Sequence, residues 1–108
     1  MEHHIIIFCT TKDKEESLKI YESLFHKKLI ACVNELESIN SSFIWNGKIN
    51  HQKENLLIMK SKLSLFKEIK MGIRELHSYE VPEIIAIPII AGDEDYLEWL
   101  DASLEYSK

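Results

Sequence analysis

The sequence predicts an α+β domain whose strands and helices follow the order β-α-β-β-α-β, with one more helix at the end. Three observations predict this class. Continuous apolar runs alternate with segments of helical spacing, Asn46-Gly47 marks a tight hairpin, and Pro88 places the last strand at a sheet edge. A ferredoxin-like split βαβ sandwich with a long hairpin between its second and third strands meets all three. The 108 residues make one such domain, residues 1–108.

The first strand and the first helix are marked by an apolar run and a capping pattern. His4–Thr10 holds three isoleucines and a phenylalanine in succession, which is typical of a strand inside a sheet. Asp13, with Glu16 three residues later, resembles a capping box and predicts a helix from there to about Lys28. The apolar face expected for this helix consists of Leu18, Tyr21, Leu24 and Phe25.

The second and third strands form the hairpin around Asn46-Gly47, one running from Ile30 and the other from Ile49 to Met59. If the chain stayed extended from Cys32 to Asn46 it would span about 45–50 Å. A compact domain of this length is only roughly 34 Å across. Either the hairpin projects past its own core, or a break near Glu35–Ser38 folds it back.

We predict that the hairpin projects. Its outer part, residues 40–53, is called the arm below. The arm is polar over much of its length, yet it carries four large apolar side chains. Apolar residues on a projecting segment require a second chain to cover them, so the arm predicts an oligomer. These four residues are Phe43, Ile44, Trp45 and Ile49.

The second half of the chain predicts a helix, an edge strand and a terminal helix. The helix spans Leu63–His77, and Gly72 within its apolar face indicates close packing. The strand covers Ile84–Ile90 and the last helix Asp93–Tyr106. The residues expected to face inward are Phe66, Ile69, Ile73 and Leu76 on the first of these helices, and Tyr96, Leu97, Leu100 and Leu104 on the last.

The charge balance and the cysteine content exclude several classes of protein. A net charge of −5, from 13 basic and 18 acidic residues, disfavours a nucleic-acid binder. No apolar run approaches the roughly 20 residues of a membrane span, so no membrane partner is expected. The first residues lack the pattern of a signal peptide, and we therefore expect two reduced cysteines and a cytoplasmic location.

Candidate chemistry is sparse. Cys9 ends the first strand, where a thiol can be a ligand or nucleophile or a small core residue. His77 ends the second helix, either as a capping charge or as a metal ligand. An acylphosphatase-like enzyme on this fold would need an arginine after the first strand, but the only arginine is Arg74. No enzyme is predicted.

Glu54 and Lys60 are expected on one face with the aromatic residues of the arm if no bulge intervenes.

Motifs along nearly the whole chain, from about Ile5 to Leu104, resemble the CutA divalent-cation-tolerance family. Each motif is weak alone, and together they are specific. They are Ala31-Cys32-Val33-Asn34, Ile39-x-Ser41-x-Phe43-x-Trp45-x-Gly47-Lys48, Glu54, Lys60, Tyr79-x-Val81-Pro82-Glu83-Ile84 and Gly92-Asp93-x-Asp95-Tyr96-Leu97-x-Trp99-Leu100.

The resemblance implies a homotrimer whose hairpins interlock, and a non-enzymatic role in the response to metal ions. It also implies clefts between subunits, lined by Trp45, Glu54, Lys60, Tyr79 and Glu83. A trimeric signalling protein similar to PII, which would bind a small anion or metabolite in those clefts, is the alternative.

The resemblance also implies metal ligands. Copper-binding members use a cysteine that matches Cys9 and a histidine that matches His77. They carry a second histidine where this chain has Leu76, and Pro-Tyr where it has Ser78-Tyr79. The expectation is therefore weak binding of copper or another divalent ion, with no cofactor required.

Overall fold

An antiparallel four-stranded sheet forms the centre of the computed structural model, which describes residues 3–104. The strand order is β2-β3-β1-β4, which confirms the predicted α+β fold and places Pro88 on an edge strand. The elements are β1 (His4–Thr11), α1 (Lys14–His26), β2 (Cys32–Trp45), β3 (Lys48–Lys62), α2 (Phe66–Leu76), β4 (Ile84–Pro88) and α3 (Glu94–Ser103).

Several boundaries differ from the predictions for local reasons. β3 continues past Met59 because its last residues pair with the start of β1, as in His4 opposite Lys62. The predicted second helix begins as a 3-10 turn, Leu63–Leu65, before α2. β4 ends at Pro88 instead of Ile90, and α3 ends at Ser103. Tyr106, the predicted end of α3, lies outside the described residues.

The core lies between one face of the sheet and the helices α1 and α2. Ile7, Leu57 and Met59 of the sheet are fully buried. The predicted packing at Gly72 is confirmed, because a methyl group there would come within 3.0 Å of the Leu24 side chain. The other fully buried apolar side chains are Cys9, Ile20, Leu24, Ile30, Leu65, Ile69, Ile73 and, on α3, Leu100.

The predicted apolar faces of the helices were partly wrong. On α1, Leu18 and Phe25 are exposed, and Ser17 and Ile20 are buried in their place beside Leu24. The buried residues are spaced three and four apart and so form one narrow face against the sheet and α2. On α2 Leu76 is exposed, and on α3 Tyr96 is exposed and packs its ring 5.5 Å from that of Trp99.

The opposite side of the sheet, called the open face below, is apolar and only partly covered. At one end Asp101 of α3 accepts a hydrogen bond from His4 at 2.8 Å, so α3 packs over that end. Beyond α3, Leu36, Ile85 and Ile87 are each more than two-fifths exposed. The register places them in rows with Ile6, Phe8, Leu56 and Ile58.

The arm projects from the sheet. Asn46 and Gly47 both have positive φ angles, as the hairpin turn requires, and Trp45 pairs with Lys48. The protein measures 43 × 26 × 22 Å, and its radius of gyration is 14.5 Å, against about 13 Å expected for a compact domain of this size. A β-bulge between Leu36 and Ile39 lies where the sequence had left a break open, but the strands remain paired on both sides of it.

Candidate functional site

The two predicted metal ligands lie at the end of β1, where the carbonyl oxygen of Thr10 accepts a hydrogen bond from each. The Sγ atom of Cys9 is 3.6 Å from that oxygen, and Nε2 of His77 is 2.7 Å from it. His77 is the residue that caps the C-terminus of α2, and its backbone N–H donates to Ile73. The structure therefore places these two residues beside the same backbone atom.

The hydrogen bonds of His77 define the tautomer of its ring. A carbonyl oxygen can only accept, so the ring proton lies on Nε2, which donates to Thr10. The backbone N–H of Tyr79 donates to Nδ1 at 3.1 Å, so this nitrogen carries no proton. The side chain is fully buried. Both ring nitrogens are thus occupied in holding the loop that follows α2 against β1.

Cys9 is a core thiol. It is fully buried and faces the helices. Burial, with the negative charges of Glu83, Glu16 and Glu54 adding to it, raises the pKa of the Cys9 thiol to about 12. The thiolate, which is the form that binds metals, is therefore disfavoured in the folded chain.

Glu16 joins the start of α1 to the loop after α2. The predicted capping bond is confirmed, since the Glu16 N–H donates to the Asp13 carboxylate at 2.8 Å. The Glu16 carboxylate accepts from the backbone N–H groups of Lys12 at 3.1 Å and of Ser78 at 2.7 Å. Burial alone would raise the pKa of Glu16, but the hydrogen bonds from Ser78 and Lys12 outweigh it and lower that pKa.

Two of the predicted cleft residues, Glu54 and Tyr79, are in contact. The Tyr79 hydroxyl donates to the Glu54 carboxylate at 2.8 Å and accepts from the side-chain amide of Gln52 at 2.9 Å. Glu54 is buried, and burial followed by the hydrogen bond to Glu54 raises the pKa of Tyr79. This chain of bonds ties the start of the arm to the loop after α2.

The other predicted cleft residues lie elsewhere in the chain. Trp45 stands at the tip of the arm, and Glu83 is exposed just before β4. Lys60 is opposite Cys32 near the other end of β3, where its ammonium donates to the Asn34 side chain. Six strand residues, about 20 Å, separate Lys60 from Glu54. A cleft that contains all five residues therefore requires more than one chain.

The bulge does not change which side chains of β3 share a face of the sheet. β3 is continuous, so Glu54 and Lys60 share a face with Lys48 and hence with its partner Trp45. The predicted common face is therefore present despite the bulge, because the extra residue lies in β2 and not in β3.

A divalent ion does not fit Cys9 and His77 as they stand. Within residues 3–104 no group of three or more His, Cys, Asp or Glu side chains is arranged to hold a metal. Cys9 would have to lose its proton, and His77 would have to give up a hydrogen bond. Metal binding by this pair stays a prediction.

Sequence reasoning missed three residues of this region. Glu16 was recognised only as part of a cap, although its second oxygen holds Ser78. Gln52 and Asn55 gave no signal, because a polar residue on a hairpin strand is unremarkable until its partners are known. The side chain of Asn55 hydrogen-bonds to both Ser38 and Glu35 across the bulge.

No helix within the described residues is long and apolar enough to cross a membrane.

The chain is similar in sequence to known CutA proteins over most of its length. A divalent-cation tolerance protein CutA from Pyrococcus horikoshii is 42% identical over 96 residues, which are 89% of this chain and 93% of that protein. A chloroplastic protein CutA from Arabidopsis thaliana is 39% identical over 99 residues, 92% of this chain but 54% of the relative. The chain thus spans about half the length of that plant protein.

Solved structures agree with the fold. The crystal structure of CutA1 from Oryza sativa superposes with a TM-score of 0.93 at 38% identity and covers 97% of this chain and 96% of that one. The periplasmic divalent cation tolerance protein CutA from Archaeoglobus fulgidus gives 0.91 at 39% identity, covering 94% and 99%. The model of the family described as CutA1 divalent ion tolerance protein matches residues 5–103, and the chain belongs to that family.

Proposed function

We propose that this chain is a non-enzymatic divalent-cation tolerance protein that works as a homotrimer held together by its arms. The observation that carries the proposal is the exposure of large apolar side chains at the arm tip, where Ile44 and Ile49 are 66% and 68% exposed. A stable soluble chain rarely leaves such a cluster in water.

The open face supports the same assembly. Leu36, Ile85 and Ile87 lie on this face at its two edges, Leu36 on β2 near the start of the arm and the two isoleucines on β4. Burying apolar area contributes about 25 cal/mol for each Å² removed from water. The family resemblance implies a stoichiometry of three. In a closed ring of three, each copy buries the same surfaces against its neighbours.

The five predicted cleft residues fit this assembly. Glu54 and Tyr79 already meet within one chain, whereas Trp45 and Lys60 lie far from them along the hairpin. An arm that crosses to a neighbouring subunit would bring its Trp45 towards another copy's cleft. Glu83, which is exposed beside β4, would then add a negative charge to the cleft wall.

For ion tolerance we infer that no strong metal site is preformed in a single chain. Isothermal titration with copper and with zinc tests this on wild type, Cys9→Ser, His77→Ala and Leu76→His. We expect weak binding by wild type that falls as the pH drops, because protons compete with the metal for its ligands. Binding by Leu76→His should be tighter, because a second imidazole is added at an exposed position. Tight binding by wild type would overturn the inference, and its loss in Cys9→Ser and His77→Ala would place the site at that pair.

The assembly is tested by native mass spectrometry of the purified protein. The expected result is a species of three chains, each of 12.7 kDa. A small anion that remains bound to that species would instead favour the PII-like alternative. The cytoplasmic location stays a prediction, since relatives are named chloroplastic in Arabidopsis and periplasmic in Archaeoglobus. Cell fractionation tests it.

A further inference from the structure

The base of the arm contains a β-bulge that reconciles two different strand registers. Leu36 pairs with Leu56, and Ile39 with Glu54, so two residues of β2 lie opposite Asn55 alone. Counting from the turn pair Trp45 and Lys48 without a bulge would set Leu36 opposite Leu57, which is a core residue. The extra residue lets the turn and the core each keep their own register.

The bulge is held by one buried side chain. The side-chain oxygen Oδ1 of Asn55 accepts a hydrogen bond from the backbone N–H of Ser38 at 3.0 Å. The side-chain nitrogen Nδ2 of Asn55 donates to the Glu35 carboxylate at 2.8 Å. Ser38 has a φ of 56°, a left-handed conformation that costs free energy for a residue other than glycine. Asn55 is only 7% exposed, and both of its hydrogen bonds are partly buried, so losing them would leave a buried amide unpaired.

We call Asn55, with its hydrogen bonds to Ser38 and Glu35, the clamp. We propose that the clamp fixes the direction in which the arm leaves the sheet, and thereby selects the second copy of this chain that receives the arm tip. A bulge bends its strand and increases the local twist. Trp45 lies seven residues beyond Ser38, about 20–25 Å along the strand, so a small change of angle at the bulge displaces the tip by a much larger distance. The proposal rests on the proposed assembly, but it makes a separate claim about the direction of the arm.

Two variants break the clamp in different ways. Deleting Ser38 removes the extra residue while leaving both registers intact, so the rest of the domain should fold and the arm should lose the bend that the bulge gives it. Asn55→Ala leaves the bulge but removes both hydrogen bonds. The matched controls are Ser38→Gly, which suits a positive φ, and Glu35→Gln, which keeps an acceptor for the Asn55 amide.

The direction of the arm can be measured by the distance between two spin labels. Lys48→Cys at the arm tip and Lys70→Cys on α2 are both exposed positions. A Cys32→Ser background removes the other accessible thiol, since Cys9 is buried. The labelled chain is diluted with unlabelled chain so that distances within one chain dominate, and circular dichroism confirms that each variant is folded.

We expect the label distance to shift or broaden in the deletion and in Asn55→Ala, and to stay as in wild type in both controls. Sedimentation should show dissociation constants raised about tenfold or more in the same two variants only. An unchanged distance in folded variants, or a shifted distance with unchanged assembly, would overturn the inference. If wild type itself is a single chain, the proposed assembly fails, and the selection of a partner copy fails with it.

Discussion

The arm and the rest of the domain, residues 3–39 and 54–104, here called the base, treat the same kinds of side chain differently. In the base, Leu57, Met59 and Ile73 are fully buried by their own chain. In the arm, Ile44 and Ile49 form a cross-strand pair that faces solvent. These buried residues of the base stabilise the fold, whereas the pair in the arm is left for the proposed contact with another copy.

Truncating an apolar side chain should reduce stability far more in the base than in the arm. Leu57→Ala should lower the free energy of unfolding by about 2–5 kcal/mol, because it leaves a cavity in the core. Ile44→Ala should leave the stability of the separated chain within about 0.5 kcal/mol of wild type. Urea unfolding at one low chain concentration compares them. A loss of the same size in both would mean that the arm is part of the fold.

The next effect compares two tryptophans that are similarly exposed in one chain, Trp45 at 45% and Trp99 at 48%. Trp45→Ala should weaken assembly by about 2 kcal/mol or more, as truncation of an interface anchor does. Trp99→Ala should weaken it less, because Trp99 already packs against Tyr96 on α3. Sedimentation velocity over a dilution series measures both. Equal dissociation of the two variants would contradict the assignment of Trp45 to an interface.

The sequence predicted the base better than it predicted the site. Strand order, the hairpin turn, the edge position of Pro88 and the packing at Gly72 follow from local patterns and were found. The helix faces were partly wrong, because Leu18 and Phe25 match the spacing of a buried face that Ile20 and Ser17 occupy. Periodicity shows that a helix has an apolar face but does not fix its rotation when several apolar residues compete.

The contacts at the site depend on distant parts of the chain, which local patterns do not bring together. Ser78 and Glu16 are 62 residues apart, and Thr10 and His77 are 67 apart. The bulge was foreseen only as a break, because nothing near Ser38 announces that Asn55 will bond it. Conversely, the length of the hairpin alone was enough to predict the arm.

A smaller effect concerns pH and the base. Glu16→Gln should cost about 1–3 kcal/mol of stability at neutral pH, since it removes the charge from the bonds to Ser78 and Lys12. The pKa of Glu16 is lowered in the folded state, so its contribution is complete above the ordinary value of about 4.3 and disappears as pH falls through the lowered value. Urea unfolding from pH 7 to pH 3 should show the two proteins converging. A difference that stays constant with pH would show that the charge is irrelevant.

The last prediction concerns the reactivity of the Cys9 thiol and involves no change in the fold. With a pKa of about 12 and no exposure, Cys9 should resist iodoacetamide at pH 8 in the folded protein and react after unfolding in guanidinium. Mass spectrometry of the digested protein locates the label, and the Cys9 peptide from unfolded protein is the control. Rapid labelling of Cys9 in folded protein would mean that the end of β1 opens readily.

In the proposed assembly the apolar arm is covered by other copies of the same chain, and sedimentation equilibrium of the wild type decides whether it is. From micromolar concentration upward we expect a single species of three times the 12.7 kDa chain mass, with dissociation promoted by Trp45→Ala. A stable species of 12.7 kDa over the same range would contradict the claim, since the arm would then remain exposed to water.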